Sequence, residues 1–126
     1  MKRLRGSPEE PVRQALLRHL VEDLGVPVPC VRLELGLVRW DREVRDRVDL
    51  AVFSAAAGEL DPVLLAECKA PEVPLDEAVV AQLRRYLRVL PARWAVATNG
   101  RRILSWKCSE GTWEPAPLPA WERMRD

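Results

Sequence analysis

Hydrophobic residues recur at helical spacing in two separate stretches of the chain. In the first stretch, apolar positions follow Ser7-Pro8-Glu9-Glu10 and stop at Gly25. A serine N-cap, an early proline and a glutamate three positions after the cap are typical of a helix start, and glycine is typical of a helix end. The pattern predicts helix one over residues 8–24. A second stripe runs from Leu75 to Leu90 and predicts helix two, which ends before Pro91.

The rest of the chain shows the alternation and the turn residues that are typical of strands. After helix one, residues 31–38, 47–53 and 63–69 predict a three-stranded meander, with a loop from Ser54 to Asp61. After helix two, the turn pair Asn99-Gly100 separates two further predicted strands, at residues 93–98 and 101–107. The proline-containing tail predicts an edge segment and a terminal helix turn. The elements therefore follow the order helix, three strands, helix, strand.

Three charged residues interrupt these apolar strands. Asp49 lies between Val48 and Leu50 in the second strand, and the third strand ends in Glu67-Cys68-Lys69. Because residues two apart in a strand face the same way, Glu67 and Lys69 share one face and Cys68 points to the other. Burial of either charge without a partner costs several kcal/mol, roughly. If the second and third strands are neighbours, Asp49 and Glu67 converge within reach of one ion.

Two explanations account for these charges. The simpler one is an ion pair between Glu67 and Lys69 at the rim of a sheet. The other is a site for Mg²⁺ or Mn²⁺, which prefer oxygen ligands and keep several waters, with Lys69 positioned to orient or activate a bound water. Glu10 projects over the same arc as part of helix one's apolar stripe, so it is either a further inward-facing carboxylate or a member of the capping box.

The net charge of +1 gives no general reason to expect nucleic-acid binding, but the charges are unevenly distributed. Residues 49–77 contain seven acids and one base, whereas residues 82–107 contain seven bases and no acid. A cation site that serves a polyanion requires such an arrangement, although a solvated basic helix face explains it equally well. Gln82 and Tyr86 lie on one flank of helix two, and Arg84 and Arg88 lie on the other.

Length, cysteine usage and the amino terminus bound the class of protein. At 126 residues the chain is most simply a single domain, residues 1–126. Its three cysteines, at 30, 68 and 108, have no CxxC spacing and support neither a disulfide framework nor a zinc site. No apolar leader or run of 18 apolar residues is visible, so we expect a cytoplasmic protein with no membrane association.

The sequence resembles the PD-(D/E)XK nuclease superfamily. The resemblance rests on residues that occur in this order and on these elements: Asp49, then Glu67-Cys68-Lys69, then Gln82 followed by Tyr86. The closest resemblance is to the N-terminal nuclease domain of type I restriction enzyme R subunits, and it covers about residues 8 to 114. Val48 stands where the superfamily's name has proline. The resemblance implies a restriction-endonuclease-like α/β (α+β) fold, with a mixed sheet flanked by helices, and Mg²⁺-dependent cleavage of DNA.

The resemblance also implies roles for individual residues. Asp49 and Glu67 match the metal ligands, Glu10 matches a helix-one glutamate that assists the metal, and the main-chain carbonyl of Cys68 completes the metal shell. Lys69 matches the residue that orients or activates the attacking water, and we expect Gln82 to take part in catalysis beside it. The expected nucleic-acid contacts are Tyr86, Arg84, Arg85, Arg88, Arg101 and Arg102.

The sequence therefore predicts a Mg²⁺- or Mn²⁺-dependent nuclease that hydrolyses DNA phosphodiester bonds. The main alternative is a catalytically silent nuclease-fold module that binds DNA or assembles a restriction or repair complex, and a small structural domain with surface ion pairs is a third reading. DNA is the expected partner. A second copy of the chain and a helicase, translocase or restriction–modification subunit are further candidate partners.

Overall fold

The helices and strands occur in the predicted order in a computed structural model that describes residues 7–54 and 61–126. Most of the loop predicted between Ser54 and Asp61 lies outside the described residues. The elements are α1 (Glu10–Arg18), β1 (Val31–Gly36), β2 (Arg47–Phe53), β3 (Pro62–Cys68), α2 (Glu77–Val89), β4 (Trp94–Thr98), β5 (Ile103–Ser109), β6 (Thr112–Pro115) and α3 (Trp121–Met124).

The described strands form one six-stranded sheet in which neighbours in sequence are neighbours in space. β3 and β4 are parallel, because α2 carries the chain across the sheet between them, and every other pair is antiparallel. The prediction of a mixed sheet flanked by helices is therefore confirmed. The predicted meander corresponds to β1, β2 and β3.

Each face of the sheet packs against a different helix layer. Alternation along the strands divides the buried side chains into two cores, because successive residues of a strand point to opposite faces. The α1-side core contains Val12, Leu16, Leu20, Leu50, Val52, Leu64, Ala66, Cys68, Val96 and Met124. The α2-side core contains Leu35, Ala51, Phe53, Leu65, Leu83, Tyr86, Leu87, Ala95 and Ala97.

The start of helix one differs from the prediction. α1 begins at Glu10, Glu9 occupies the cap position without a side-chain cap bond, and the buried Ser7 Oγ has no hydrogen-bond partner among the described residues. The main-chain N–H of Glu10 instead donates to the carbonyl of Ser7 (3.1 Å) and closes a turn ahead of the helix. Pro11 lies in the first helical turn, where a missing N–H costs little, so the helix starts later than predicted.

Other boundaries shift by one to three residues. The helical path of α1 continues from His19 to Asp23 as a π-helical turn, β1 gives way to a 3₁₀ turn at Leu37–Arg39, and α2 starts after Asp76, whose carboxylate accepts a hydrogen bond from the N–H of Ala78 (3.1 Å). No helix within the described ranges combines the length and the hydropathy that are needed to cross a bilayer.

Candidate active site

Asp49 and Glu67 converge on the α2 side of the sheet. Leu50 of β2 pairs with Ala66 of β3 in an antiparallel register. Asp49, the residue before Leu50, therefore lies beside the end of β3. Alternation turns both acids to the face that carries Ala51 and Leu65. Asp49 is 5% exposed and Glu67 6% exposed. Two carboxylates are thus buried side by side.

Hydrogen bonds and an ion pair satisfy only some of the carboxylate oxygens of this acid pair. Asp49 Oδ2 accepts a hydrogen bond of 2.7 Å from the main-chain N–H of Cys68, which fixes the carboxylate against β3. Lys69 follows β3 directly, and its ammonium Nζ lies 3.1 Å from Glu67 Oε2. The other oxygen, Glu67 Oε1, is buried without a hydrogen-bond partner among the described residues. A buried carboxylate oxygen in this state is costly unless a proton or a cation reaches it.

Burial, and after it the negative charge of Asp49, raise the pKa of Glu67 to about 7, although Lys69 partly offsets both effects. Near neutral pH the carboxyl of Glu67 is therefore poised between its protonated and ionised forms. A hard divalent cation prefers carboxylate oxygens and would stabilise the ionised form. The acid pair and the unpartnered oxygen fit such an ion.

Helix α2 covers this side of the sheet with Gln82 and Tyr86. The amide Nε2 of Gln82 donates to the hydroxyl of Tyr86 (2.6 Å). Burial and the nearby charge of Glu67 raise the pKa of Tyr86, so the hydroxyl stays protonated. With 2% of its surface exposed, Tyr86 belongs to the α2-side core. The predicted contact of Tyr86 with nucleic acid stays a prediction, and this burial gives it no support.

Arg85 reaches the rim of the site from α2. Its Nη2 atom lies 2.8 Å from Asp46 Oδ2, and this hydrogen bond raises the pKa of Arg85. Its guanidinium carbon lies 5.8 Å from the centroid of the Tyr86 ring. Asp46, one residue ahead of β2, was missed by the sequence reasoning. The pattern gave no signal for it, because an acid before a strand is ordinary and its partner is 39 residues away.

The predicted four-residue metal set is not assembled. The carboxylate of Glu10 accepts hydrogen bonds from Arg13 Nη2 and from Gln14 Nε2. Arg13 also bonds to Glu34 Oε2 (3.0 Å), so one buried guanidinium holds two acids on the α1 side. In the described part of the chain, no three His, Cys, Asp or Glu residues form a group that could hold a metal ion.

Cys68 contributes to the site only through its main chain. Its side chain is buried in the α1-side core, on the opposite face from Glu67. The alternation of β3 predicts this orientation. The main-chain N–H of Cys68 is the donor that holds Asp49 in place.

The remaining predicted contacts lie in two other places. Arg101 and Arg102 are exposed in the turn before β5, where their main-chain N–H groups donate to Asn99 Oδ1 (3.0 and 2.9 Å). The guanidinium of Arg84 lies over the ring of Trp113, and Arg88 follows one turn later. The structure thus distributes the predicted basic contacts over separate surfaces.

Comparisons with known proteins agree with this fold. The family model for the type I restriction enzyme R protein N terminus (HSDR_N) matches residues 8–120. A solved fragment assigned to the HsdR subunit of a type I restriction enzyme from Vibrio vulnificus YJ016 is similar, with a TM-score of 0.65 and 18% identity. The similarity covers 94% of this chain but only 24% of that one. A search of curated proteins finds no significant match.

The chain belongs to the family of type I restriction enzyme R protein N termini, because the family model spans most of its length. The structural likeness shows a shared fold.

Proposed function

We propose that this member of the type I restriction enzyme R protein N-terminal family is a PD-(D/E)XK nuclease that hydrolyses DNA phosphodiester bonds with the aid of Mg²⁺ or Mn²⁺. One observation carries the proposal. Asp49 and Glu67 lie buried side by side, Lys69 Nζ lies 3.1 Å from Glu67, and Glu67 Oε1 has no hydrogen-bond partner within the described residues. A divalent cation is the group whose binding would satisfy this arrangement.

In this mechanism, Asp49 and Glu67 would hold the ion, which when bound would polarise a phosphoryl oxygen and make a water more acidic. The ammonium of Lys69 would orient the attacking water and offset negative charge as it builds on the phosphoryl oxygens. The amide of Gln82, positioned by its hydrogen bond with Tyr86, would contact the water or the phosphate. The water would lose a proton and its oxygen would bond to phosphorus, the bond from phosphorus to the 3′ oxygen would break, and that oxygen would take up a proton from solvent, which leaves a 5′-phosphate and a 3′-hydroxyl.

Lys69→Ala tests the catalytic step. Removal of one residue that stabilises charge in a transition state typically lowers the rate by a factor on the order of 10² to 10³. We expect plasmid cleavage with Mg²⁺ or Mn²⁺ to fall by about that factor, as measured by gel densitometry. Lys107→Ala is the matched control, because Lys107 is exposed on β5 and the change removes the same group outside the site. Its rate should stay within a few-fold of the unaltered protein. Equal rates for the unaltered protein and Lys69→Ala would refute the assignment.

A catalytically silent DNA-binding or assembly module is the second candidate. It is favoured by the position of Glu10, which pairs with Arg13 and does not join the acid pair in a three-residue group among the described residues. Calorimetry with Mn²⁺ separates the two functions. Binding that disappears in Asp49→Asn supports the nuclease, whereas metal-independent DNA binding without cleavage supports the silent module.

We also propose that the chain works in the cytoplasm with DNA and with partners of a restriction–modification complex. A second copy of the chain is a further candidate partner, because one domain of this size covers few phosphates by itself.

A further inference from the structure

A cleft separate from the acid pair lies between α2 and the β5–β6 hairpin. Its volume is about 340 Å³, which is within the range of sites for small ligands. Leu87 and the ring of Trp113 give it apolar walls, and the side chains of Arg84 and Arg88 line it from α2. The two flanks of α2 therefore serve different places, because Arg85 points to Asp46 beside the acid pair while Arg84 and Arg88 point to the cleft.

Trp113 holds Arg84 in place. The guanidinium carbon of Arg84 lies 4.4 Å from the centroid of the Trp113 ring, and Trp113 in turn packs on Trp106 at a centroid distance of 5.5 Å. A guanidinium that stacks on an aromatic face keeps the N–H groups of its edge available, and these match two oxygens of a phosphate. Since the side chain is already ordered, binding an anion costs less conformational entropy.

The cleft has a net positive charge, because two arginines and one acid, Glu110, line it. Neither Arg84 nor Arg88 has a carboxylate partner in the part of the chain that the structure describes, whereas Arg85 and Arg93 pair with Asp46 and Asp61. Like charges one helical turn apart repel, and an anion that bridges them relieves this repulsion.

Two other side chains affect this charge. Burial raises the pKa of the Cys108 thiol to about 11, so the thiol remains neutral in the cleft wall. Glu110, at the tip of the hairpin, is an acid that lines the cleft, and its negative charge would repel an anion at that end. A phosphate would therefore bind at the helix side, between the two arginines.

We propose that this cleft binds one nucleotide of a DNA strand, with its backbone phosphate between Arg84 and Arg88 and its apolar part against Leu87 and Trp113. The proposal rests on the proposed function, since it takes DNA as the substrate. In this proposal α2 has two roles: one flank supports the acid pair, and the other flank holds the DNA strand.

Salt-dependent binding tests the cleft. The probe is a fluorescein-labelled single-stranded oligonucleotide in EDTA, whose affinity for the full chain is measured by fluorescence anisotropy over a salt series. The logarithm of the affinity falls with the logarithm of the salt concentration, and each lost phosphate contact makes this negative slope shallower by about 0.7. We expect this shallower slope, with several-fold weaker binding, for Arg84→Gln and for Arg88→Gln. Arg18→Gln is the matched control for the change in net charge, because Arg18 is an exposed residue of α1, in the opposite helix layer.

A further variant tests the stack. Trp113→Leu keeps both charges but removes the ring under Arg84, so it should weaken binding as Arg84→Gln does. Urea unfolding shows which variants remain folded, and if Trp113→Leu does not fold, the two arginine variants decide. Affinities and slopes for Arg84→Gln and Arg88→Gln that equal those of Arg18→Gln would overturn the proposal.

The two proposals fail separately. Loss of cleavage in Lys69→Ala together with unchanged strand binding in the arginine variants would leave the nuclease and remove the cleft. Absence of cleavage in the unaltered protein together with weaker binding in the arginine variants would leave the cleft and remove the catalytic role.

Discussion

The buried carboxyl of Glu67 destabilises the metal-free fold when it is ionised, which occurs only as the pH rises. This carboxyl lies beside Asp49, and its pKa is raised from 4.5 to about 7. A group whose pKa is raised by folding contributes stability that is present below its unfolded pKa and is lost as the pH rises through its folded pKa. The metal-free protein should therefore lose stability between about pH 4.5 and pH 7, because the ionised carboxylate replaces the buried acid.

Glu67→Gln should remove this dependence. In EDTA, we expect its free energy of unfolding to exceed that of the unaltered protein by up to about 3 kcal/mol at pH 8 and by much less at pH 5. Urea unfolding across this range measures the difference. Glu72→Gln, at an exposed glutamate in the loop after β3, is the control and should follow the unaltered protein. A difference that is the same at both pH values would contradict the burial of a titrating acid.

Functional residues that break a local sequence pattern could be identified from the sequence, whereas those that conform to a pattern could not. Asp49 and Glu67 were found because a carboxylate in an apolar strand is costly. Arg13 and Asp46 were missed because each lies where a charged residue is common, and its role depends on a partner distant in sequence: Glu34 for Arg13 and Arg85 for Asp46. No local pattern specifies such a pair.

Helix α1 is tied to the sheet by one buried guanidinium. Arg13 is 8% exposed and bonds to Glu10 on its own helix and to Glu34 on β1. Its removal would take one charged donor from each of two partly buried carboxylates. We expect Arg13→Ala to lower the free energy of unfolding by about 1.5–3 kcal/mol, as measured by urea denaturation.

Arg18→Ala, on the same helix, is the control for helix propensity and net charge, because Arg18 is exposed. It should change the stability by less than about 0.5 kcal/mol. Equal losses in the two variants would show that the bonds to Glu10 and Glu34 add no net stability.

Element order was predictable, whereas the start of helix one was not. Hydrophobic period distinguishes helices from strands over long stretches, and it predicted β2 with the bounds that the structure has. The first turn of a helix depends on which of several competent residues provides the cap. Two prolines, at 8 and 11, fit an early helical position, and the sequence pattern favoured the wrong one.

The α1 layer lies close to the sheet at a turn glycine. Gly100 has φ +86°, and a Cβ there would lie 3.2 Å from Val12 Cγ2 of α1. Gly111 has nearly the same φ, +85°, but a Cβ there meets nothing within 4 Å. Alanine at Gly111 therefore adds backbone strain alone, whereas alanine at Gly100 adds the same strain and a close contact with α1.

We expect Gly111→Ala to cost about 1–2 kcal/mol of stability, from the positive φ alone. Gly100→Ala should cost more, because Val12 must also move. Thermal or urea unfolding of both variants measures the difference, and identical losses would show that the α1 layer adapts without cost.

For the whole molecule, the sequence predicted the mixed α/β class and the helix-flanked sheet through the family resemblance, and the structure confirms them. Helical spacing placed Arg84 and Arg88 together on one flank of helix two, but it did not identify the surface that each basic residue meets. Arg84 and Arg85 are adjacent in sequence, but the helix turns them to opposite flanks, toward Trp113 and Asp46. Their partners come from β6 and from the segment before β2, and only the folded chain identifies them.

The acid pair is made by one hairpin, β2–β3, and Lys69 and the covering helix α2 follow it directly in sequence. The candidate catalytic residues therefore lie in one continuous segment of the amino-acid sequence. Changes confined to the outer strands β1, β5 and β6 therefore leave both acids, the lysine and the glutamine on one stretch of chain.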